Sequence, residues 1–188
     1  EDIENKIIRS TSDSEIIFSE DPLRMLRAVR FAVRFGFMIE ENTKAGIMNN
    51  AEKLKHISWE RRRDELTKML ESEKPCEAVQ MLYEFGLMKN IVPELEKLKG
   101  LEQGKYHHLD AFEHTLLTLK NSQPDIVSRL AAFLHDISKP DLYKNKDGNI
   151  HFFGHEKLGA KMAEKILKRL KYSTIKINEV KLAINGHM

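Results

Sequence analysis

The chain has 188 residues, with 31 lysines and arginines against 29 aspartates and glutamates, a formal net charge of +2. Charged residues make up 32% and apolar residues 41%, with nine glycines and five prolines, a balance that excludes a disordered tail, a collagen-like repeat and a disulfide scaffold. No run of about 18 apolar residues exists, so no membrane span is expected. The N-terminus lacks a basic-then-apolar signal pattern, and the single Cys76 suits a reducing compartment, which makes the cytoplasm the expected location. The near-balanced charge argues against a uniformly basic coat but leaves local patches open. Glu1 opens the chain and Met188 closes it in mid-pattern, so it reads as part of a longer protein.

Periodicity is helical almost throughout, and the fold class expected is all-α. Asp21-Pro22, followed by Leu23, Leu26 and Val29, opens a helix that runs to Phe35, where Gly36 stops it. A second helix covers Glu41 to Leu54. A third starts with Ser58 as its cap and continues through Leu66, Met69 and Leu70. Pro75 starts a fourth, with Ala78, Val79, Leu82 and Phe85 turned inward and Gly86 as its end. The polar stretch 97–104, holding Gly100 and Gly104, is the expected joint between two helical parts, residues 1–96 and 105–188. Beyond it, helices are expected near Leu109–Lys120, Pro124–Asp136, His155–Leu170 and Ile175–Asn185. The exception is Leu142 to Phe153, where Asp147-Gly148 between apolar and aromatic residues has the chemistry of one short β-hairpin.

The chain carries eight histidines, and the informative ones are His114, His135, His155 and His187, each on or at the end of a predicted helix. Such wide separation does not fit a zinc finger, whose ligands come as close pairs on short loops. It fits a helical bundle that projects ligands from several helices into one core. Imidazole with carboxylate suits a divalent cation that keeps positions open for water and substrate. His135-Asp136 closes the apolar run Leu130-Ala131-Ala132-Phe133-Leu134, and a carboxylate there is costly unless something pairs with it. A metal would do so, and so would Lys139. Helix capping is the alternative for the doublet taken alone.

The second informative stretch is Glu20-Asp21-Pro22-Leu23-Arg24. Arg24, Arg27, Arg30 and Arg34 fall along one side of the predicted helix, with Leu23, Leu26 and Val29 on another. Arginine can read base edges or phosphate and Asp can accept from an exocyclic amine, whereas a solvated face with local ion pairs gives the same spacing.

Two resemblances rest on these residues. Phe112-Glu113-His114-Thr115, Leu134-His135-Asp136-Ile137-Ser138-Lys139-Pro140, Gly154-His155-Glu156 and His187-Met188 resemble the HD superfamily of metal-dependent phosphohydrolases. The resemblance implies His114, His135 and Asp136 as metal ligands and Lys139 as a phosphate contact. It implies His155 and His187 as second-metal or substrate groups. The catalytic set is then His135, Asp136 and Lys139, with Mg²⁺, Mn²⁺ or Ni²⁺ as cofactor. Ser138 stands where glycine is usual, and no Asp follows His187, so the family's final ligand is absent from the chain.

Glu20-Asp21-Pro22-Leu23-Arg24, with Arg27-Ala28-Val29-Arg30-Phe31-Ala32-Val33-Arg34-Phe35-Gly36-Phe37 and Ile57-Ser58-Trp59-Glu60-Arg61, resembles the class II tRNA nucleotidyltransferase and poly(A) polymerase family. Asn5-Lys6-Ile7-Ile8-Arg9 follows the same pattern, while Ile17 and Ser12 depart from it. The resemblance implies that Asp21 and Arg24, supported by Glu20 and Arg27, select CTP or ATP for addition to tRNA. It also implies a helical neck followed by an HD bundle. The family's head, with its Mg²⁺-binding carboxylate pair, has no counterpart here: the chain contains no Asp-x-Asp. Chemistry expected of the HD part is hydrolysis of a phosphoester such as a 2′,3′-cyclic phosphate. Alternatives are a non-catalytic RNA-binding module and a free-standing HD nucleotide phosphohydrolase.

Overall fold

The structure, a computed structural model, describes residues 1–104, 108–146, 149–152 and 154–186. It divides into two compact units, Glu1–Ile91 and Val92–Met188. The division lies just ahead of the polar stretch 97–104. Among the described residues no helix is long and apolar enough to cross a membrane.

The first unit holds β1 (Ile7–Ile8), α1 (Ser14–Glu20), α2 (Leu23–Phe35), β2 (Met38–Ile39), α3 (Glu41–Asn50), α4 (Trp59–Leu70) and α5 (Pro75–Glu84). Helix α2 is its central element. Asp21 Oδ1 accepts from the Leu23 N–H at 3.2 Å at its start, and Gly36 ends it at φ +65°, a left-handed conformation that favours glycine. Between them Met25, Leu26, Val29, Ala32 and Val33 are buried. α2 packs on α4 and α5, whose Leu66, Met69, Leu70, Ala78, Val79 and Leu82 complete the core. The expected second helix ends at Asn50, and Ala51–His56 continues as a tighter 3₁₀ segment that turns the chain toward Ser58. The Ser58 hydroxyl then caps α4 by accepting from the Arg61 N–H.

Two elements of this unit have no strong sequence signal. α1 buries only Phe18 and is started by the Asp13 carboxylate accepting from the Glu15 N–H. It crosses α3 closely: a Cβ on Gly46 would lie 2.3 Å from Ser14 Oγ, so only glycine fits there. β1 and β2 form a two-residue parallel pair, Ile7 opposite Met38 and Ile8 opposite Ile39.

The second unit holds a 3₁₀ segment (Pro93–Leu98), α6 (Ala111–Asn121), α7 (Ile126–Leu134), α8 (Lys139–Leu142), β3 (Lys144–Lys146), β4 (Asn149–His151), α9 (His155–Arg169) and α10 (Thr174–Asn185). A capping box opens α6, Asp110 accepting from the Glu113 N–H while Glu113 accepts from the Asp110 N–H. The side chains of Asp125 and Ser173 cap α7 and α10 by accepting from backbone N–H groups of their first turns. α10 packs on α7 and α9, and α6 packs on α7 and on the 93–98 segment. Arg169 on α9 clamps Glu94 with two hydrogen bonds of 2.8 and 2.7 Å. β3 and β4 pair antiparallel within the expected hairpin region, while its Asp147-Gly148 turn lies outside the described residues.

Candidate functional site

α7 stops at Leu134, earlier than the run to Asp136 expected from the sequence, and four residues of turn lead into α8. This early stop makes the site. The carbonyls of the last helical turn have no partner in the helix, and His135 uses one of them: its Nδ1 lies 2.8 Å from the Ala132 carbonyl oxygen. A carbonyl only accepts, so Nδ1 carries a proton, and in its neutral form the ring keeps its lone pair on Nε2. His155, at the start of α9, is held in the same way by the Phe152 carbonyl at 2.9 Å.

Both rings aim at Asp136, which is 1% exposed. His135 Nε2 is 3.1 Å and His114 Nε2, from α6, 3.7 Å from Asp136 Oδ2. His155 Nε2 is 4.0 Å from Oδ1. His114, His135 and Asp136 each offer a ligand atom, all within 4.8 Å of one another. A neutral His135 turning its lone pair on a carboxylate oxygen at 3.1 Å needs a proton or a cation between the two. Asp136 Oδ1 is buried and accepts no hydrogen bond among the described residues. This donor set, two imidazoles and a carboxylate with a further imidazole nearby, fits a borderline divalent cation.

Lys139 Nζ lies 2.7 Å from Asp136 Oδ2 and 2.6 Å from Gln103 Oε1. Burial pushes the Asp136 carboxyl up, but the hydrogen bond and charge that a protonated His135 supplies, with the ammonium of Lys139, outweigh it and hold the group well below the usual carboxylate range. α9 approaches closely because Gly159 carries no side chain: a Cβ there would lie 3.1 Å from the His135 carbonyl oxygen. The buried Ser138 hydroxyl donates to the His155 carbonyl at 2.7 Å and ties the turn to α9. The cleft over these groups, walled also by Thr118 and Ile184, measures about 470 Å³. The structure thus brings together His114, His135, Asp136, Lys139 and His155, while His187 lies outside the described residues.

The arginines of the first unit are mostly engaged. Arg24 Nη1 is 3.3 Å from Glu20 and also reaches the Ile17 carbonyl. Asp21 faces Arg61 at 3.5 Å. Arg27 (3.9 Å), Arg30 (2.6 Å) and Lys68 (3.5 Å) converge on Glu65, which is 3% exposed. Arg24 and Arg27 both line a cleft of about 350 Å³ with Arg9, Ser10, Thr11 and Thr43. Its described walls include neither Glu20 nor Asp21. The local ion pairs weighed against ligand reading are therefore present, and two of the four residues also face an open cleft. Glu65, part of the Asp64-Glu65-Leu66 stretch that follows the neck pattern, and Gln103 take part without any role expected for them from the sequence. The signal for Glu65 was a carboxylate on the apolar face of α4, next to Leu66 and Met69; Gln103, inside a polar stretch, gave none.

Residues 36–99 match the family described as the probable RNA and SrmB-binding site of polymerase A, and residues 104–188 match the HD domain. An A-adding tRNA nucleotidyltransferase from Deinococcus radiodurans is 33% identical over 200 aligned positions, covering 100% of this chain and 46% of that protein. Along its whole length the chain is thus similar to tRNA nucleotidyltransferases. A CC-adding tRNA nucleotidyltransferase from Thermus thermophilus is 31% identical, again over 100% of this chain and 46% of that protein. The chain spans a little under half the length of the curated relatives it matches. In fold it is similar to the CCA-adding enzyme of Bacillus stearothermophilus solved in complex with CTP, with a TM-score of 0.54 and 24% identity over 98% of this chain and 48% of that one.

Proposed function

We propose that this chain serves a tRNA nucleotidyltransferase in two ways. Its first unit selects the incoming CTP or ATP and grips tRNA, and its second unit hydrolyses a phosphoester at an RNA end, such as a 2′,3′-cyclic phosphate. The parent reaction is addition of CCA, or part of it, to tRNA 3′ ends. Support for the first part is the cleft walled by Arg9, Arg24 and Arg27. The observation that carries the second is the meeting of His114, His135 and Asp136 within 4.8 Å at a carboxylate that is 1% exposed.

His114 Nε2, His135 Nε2 and Asp136 would hold a divalent ion such as Mg²⁺, Mn²⁺ or Ni²⁺. Such an ion, when bound, supplies a water of lowered pKa and shields phosphate charge. The protein's own groups do the rest. The backbone carbonyls of Ala132 and Phe152 fix the rings of His135 and His155 with Nε2 inward. Lys139 offers an ammonium to the phosphate oxygens from the wall of the cleft. The buried floor limits water around the reacting group.

A second reading has one observation in its favour. Lys139 sits 2.7 Å from Asp136 and compensates the buried carboxylate without any metal, as a structural polar cluster in an RNA-binding module would require. Metal content and hydrolysis separate the two. The expected result is about one equivalent of divalent ion per chain and metal-dependent release of phosphomonoester from 2′,3′-cyclic AMP, with Asp136→Ala losing about 100-fold or more. Full hydrolysis in Asp136→Ala would reject the metal reading, and no bound ion in the wild type would favour the structural one.

A further inference from the structure

Gln103 is a buried polar side chain, 6% exposed, that no motif marks. It is held at both ends. Its Nε2 donates to the carbonyl oxygens of Leu109 and Asp110 at 3.3 Å each, just ahead of α6, and its Oε1 accepts from Lys139 Nζ at 2.6 Å. Two carbonyls on one side and an ammonium on the other allow only one orientation of the amide. The ammonium itself has three protons. One faces Asp136 Oδ2 at 2.7 Å, one faces Gln103, and the side chain lies 5.4 Å from the Phe152 ring centroid. Held between Asp136 and Gln103, Lys139 lines the cleft.

We infer that Gln103 is a positioning residue: it fixes Lys139 so that one N–H is presented to a phosphate oxygen of the substrate. The inference rests on the phosphohydrolase reading for its consequence, and on geometry alone for its cause. Without Gln103, Lys139 keeps a single tether, Asp136, on a flexible four-carbon stem. The ammonium then swings about that carboxylate, and the stabilisation of phosphate charge is lost as the barrier is crossed rather than at binding. The Asp110 carboxylate, which accepts from the Gly100 N–H at 2.8 Å, closes the same loop independently, so loss of the Gln103 amide leaves α6 capped.

The test is Gln103→Met in the intact protein, which keeps the volume and removes both sets of hydrogen bonds. Two readouts are needed. Acetylation of the Lys139 amine by acetic anhydride, followed by peptide mass spectrometry, reports its restraint whatever the activity. Hydrolysis of 2′,3′-cyclic AMP reports the consequence. The expected result is Lys139 labelling faster by about 5-fold or more, with kcat reduced about 10-fold and KM within a factor of two. Unchanged labelling overturns the inference, even if activity falls. Faster labelling in a protein whose wild type hydrolyses nothing leaves the positioning role standing and rejects the phosphohydrolase reading instead. Faster labelling with wild-type kcat overturns the catalytic consequence. Should Gln103→Met not fold, Gln103→Asn, whose amide is one methylene too short to span both partners, carries the same expectations.

Discussion

Glu65 shows how much one side chain can organise. It is 3% exposed, and Arg30 lies 2.6 Å from its Oε2 with Arg27 and Lys68 further out, so three cations of two helices share one carboxylate. Removing that charge would leave Arg30, itself only 14% exposed, without its partner. Glu65→Gln is therefore expected to lose about 3 kcal/mol of stability, read as a lowered urea midpoint at unchanged slope. At this scale the sequence was legible where chemistry repeats along the chain. His114, His135, Asp136 and Lys139 stood out because a histidine–aspartate doublet closing an apolar run needs a partner. Glu65 and Gln103 did not, because their meaning comes from residues 35 and 36 positions away.

Elements were legible where capping and periodicity agree, as in α2 with Gly36, α4 with Ser58 and α6 with its capping box. α1 was not, since a seven-residue helix burying only Phe18 has almost no apolar stripe. Nor was the stop of α7 at Leu134, where the apolar pattern runs on. The anchoring of α9 to the 93–98 segment rests on the Glu94–Arg169 clamp, and it titrates. Burial pushes the Glu94 carboxyl up, but the two hydrogen bonds and charge of Arg169 prevail and hold it below its ordinary value of 4.5. A depressed carboxyl contributes its full stabilisation above the unfolded value and gives it up as pH falls through the folded one. Glu94→Gln is accordingly expected to lose about 2 kcal/mol at pH 7. The gap to wild type should narrow steadily below about pH 4.5 in denaturant melts, and a gap that widened in acid would contradict the assignment.

For the whole molecule the +2 net charge is a poor guide. Positive charge is concentrated at Arg24–Arg34 and Arg61–Arg63 in the first unit. Much of it is spent internally, on Glu20, Asp21 and Glu65. Arg34 is exposed, makes no ion pair among the described residues and lies 5.7 Å from the Phe35 ring centroid. If it meets an RNA phosphate, Arg34→Ala should weaken tRNA binding and reduce the slope of log affinity against log salt by about 0.7 to 0.9. An unchanged slope would remove Arg34 from the interface. Composition could not have told this free arginine from its paired neighbours, because the pairing is tertiary.

The stop of α7 has one more consequence. Had the helix continued, the Ala132 carbonyl would have gone to the N–H of residue 136 four positions on. Instead it holds His135 Nδ1. The site is made from an interruption, and a single added turn of helix would erase it. Selection for a more regular, more stable α7 therefore runs directly against the centre, so helix-favouring changes in 135–138 are the ones this fold can least absorb.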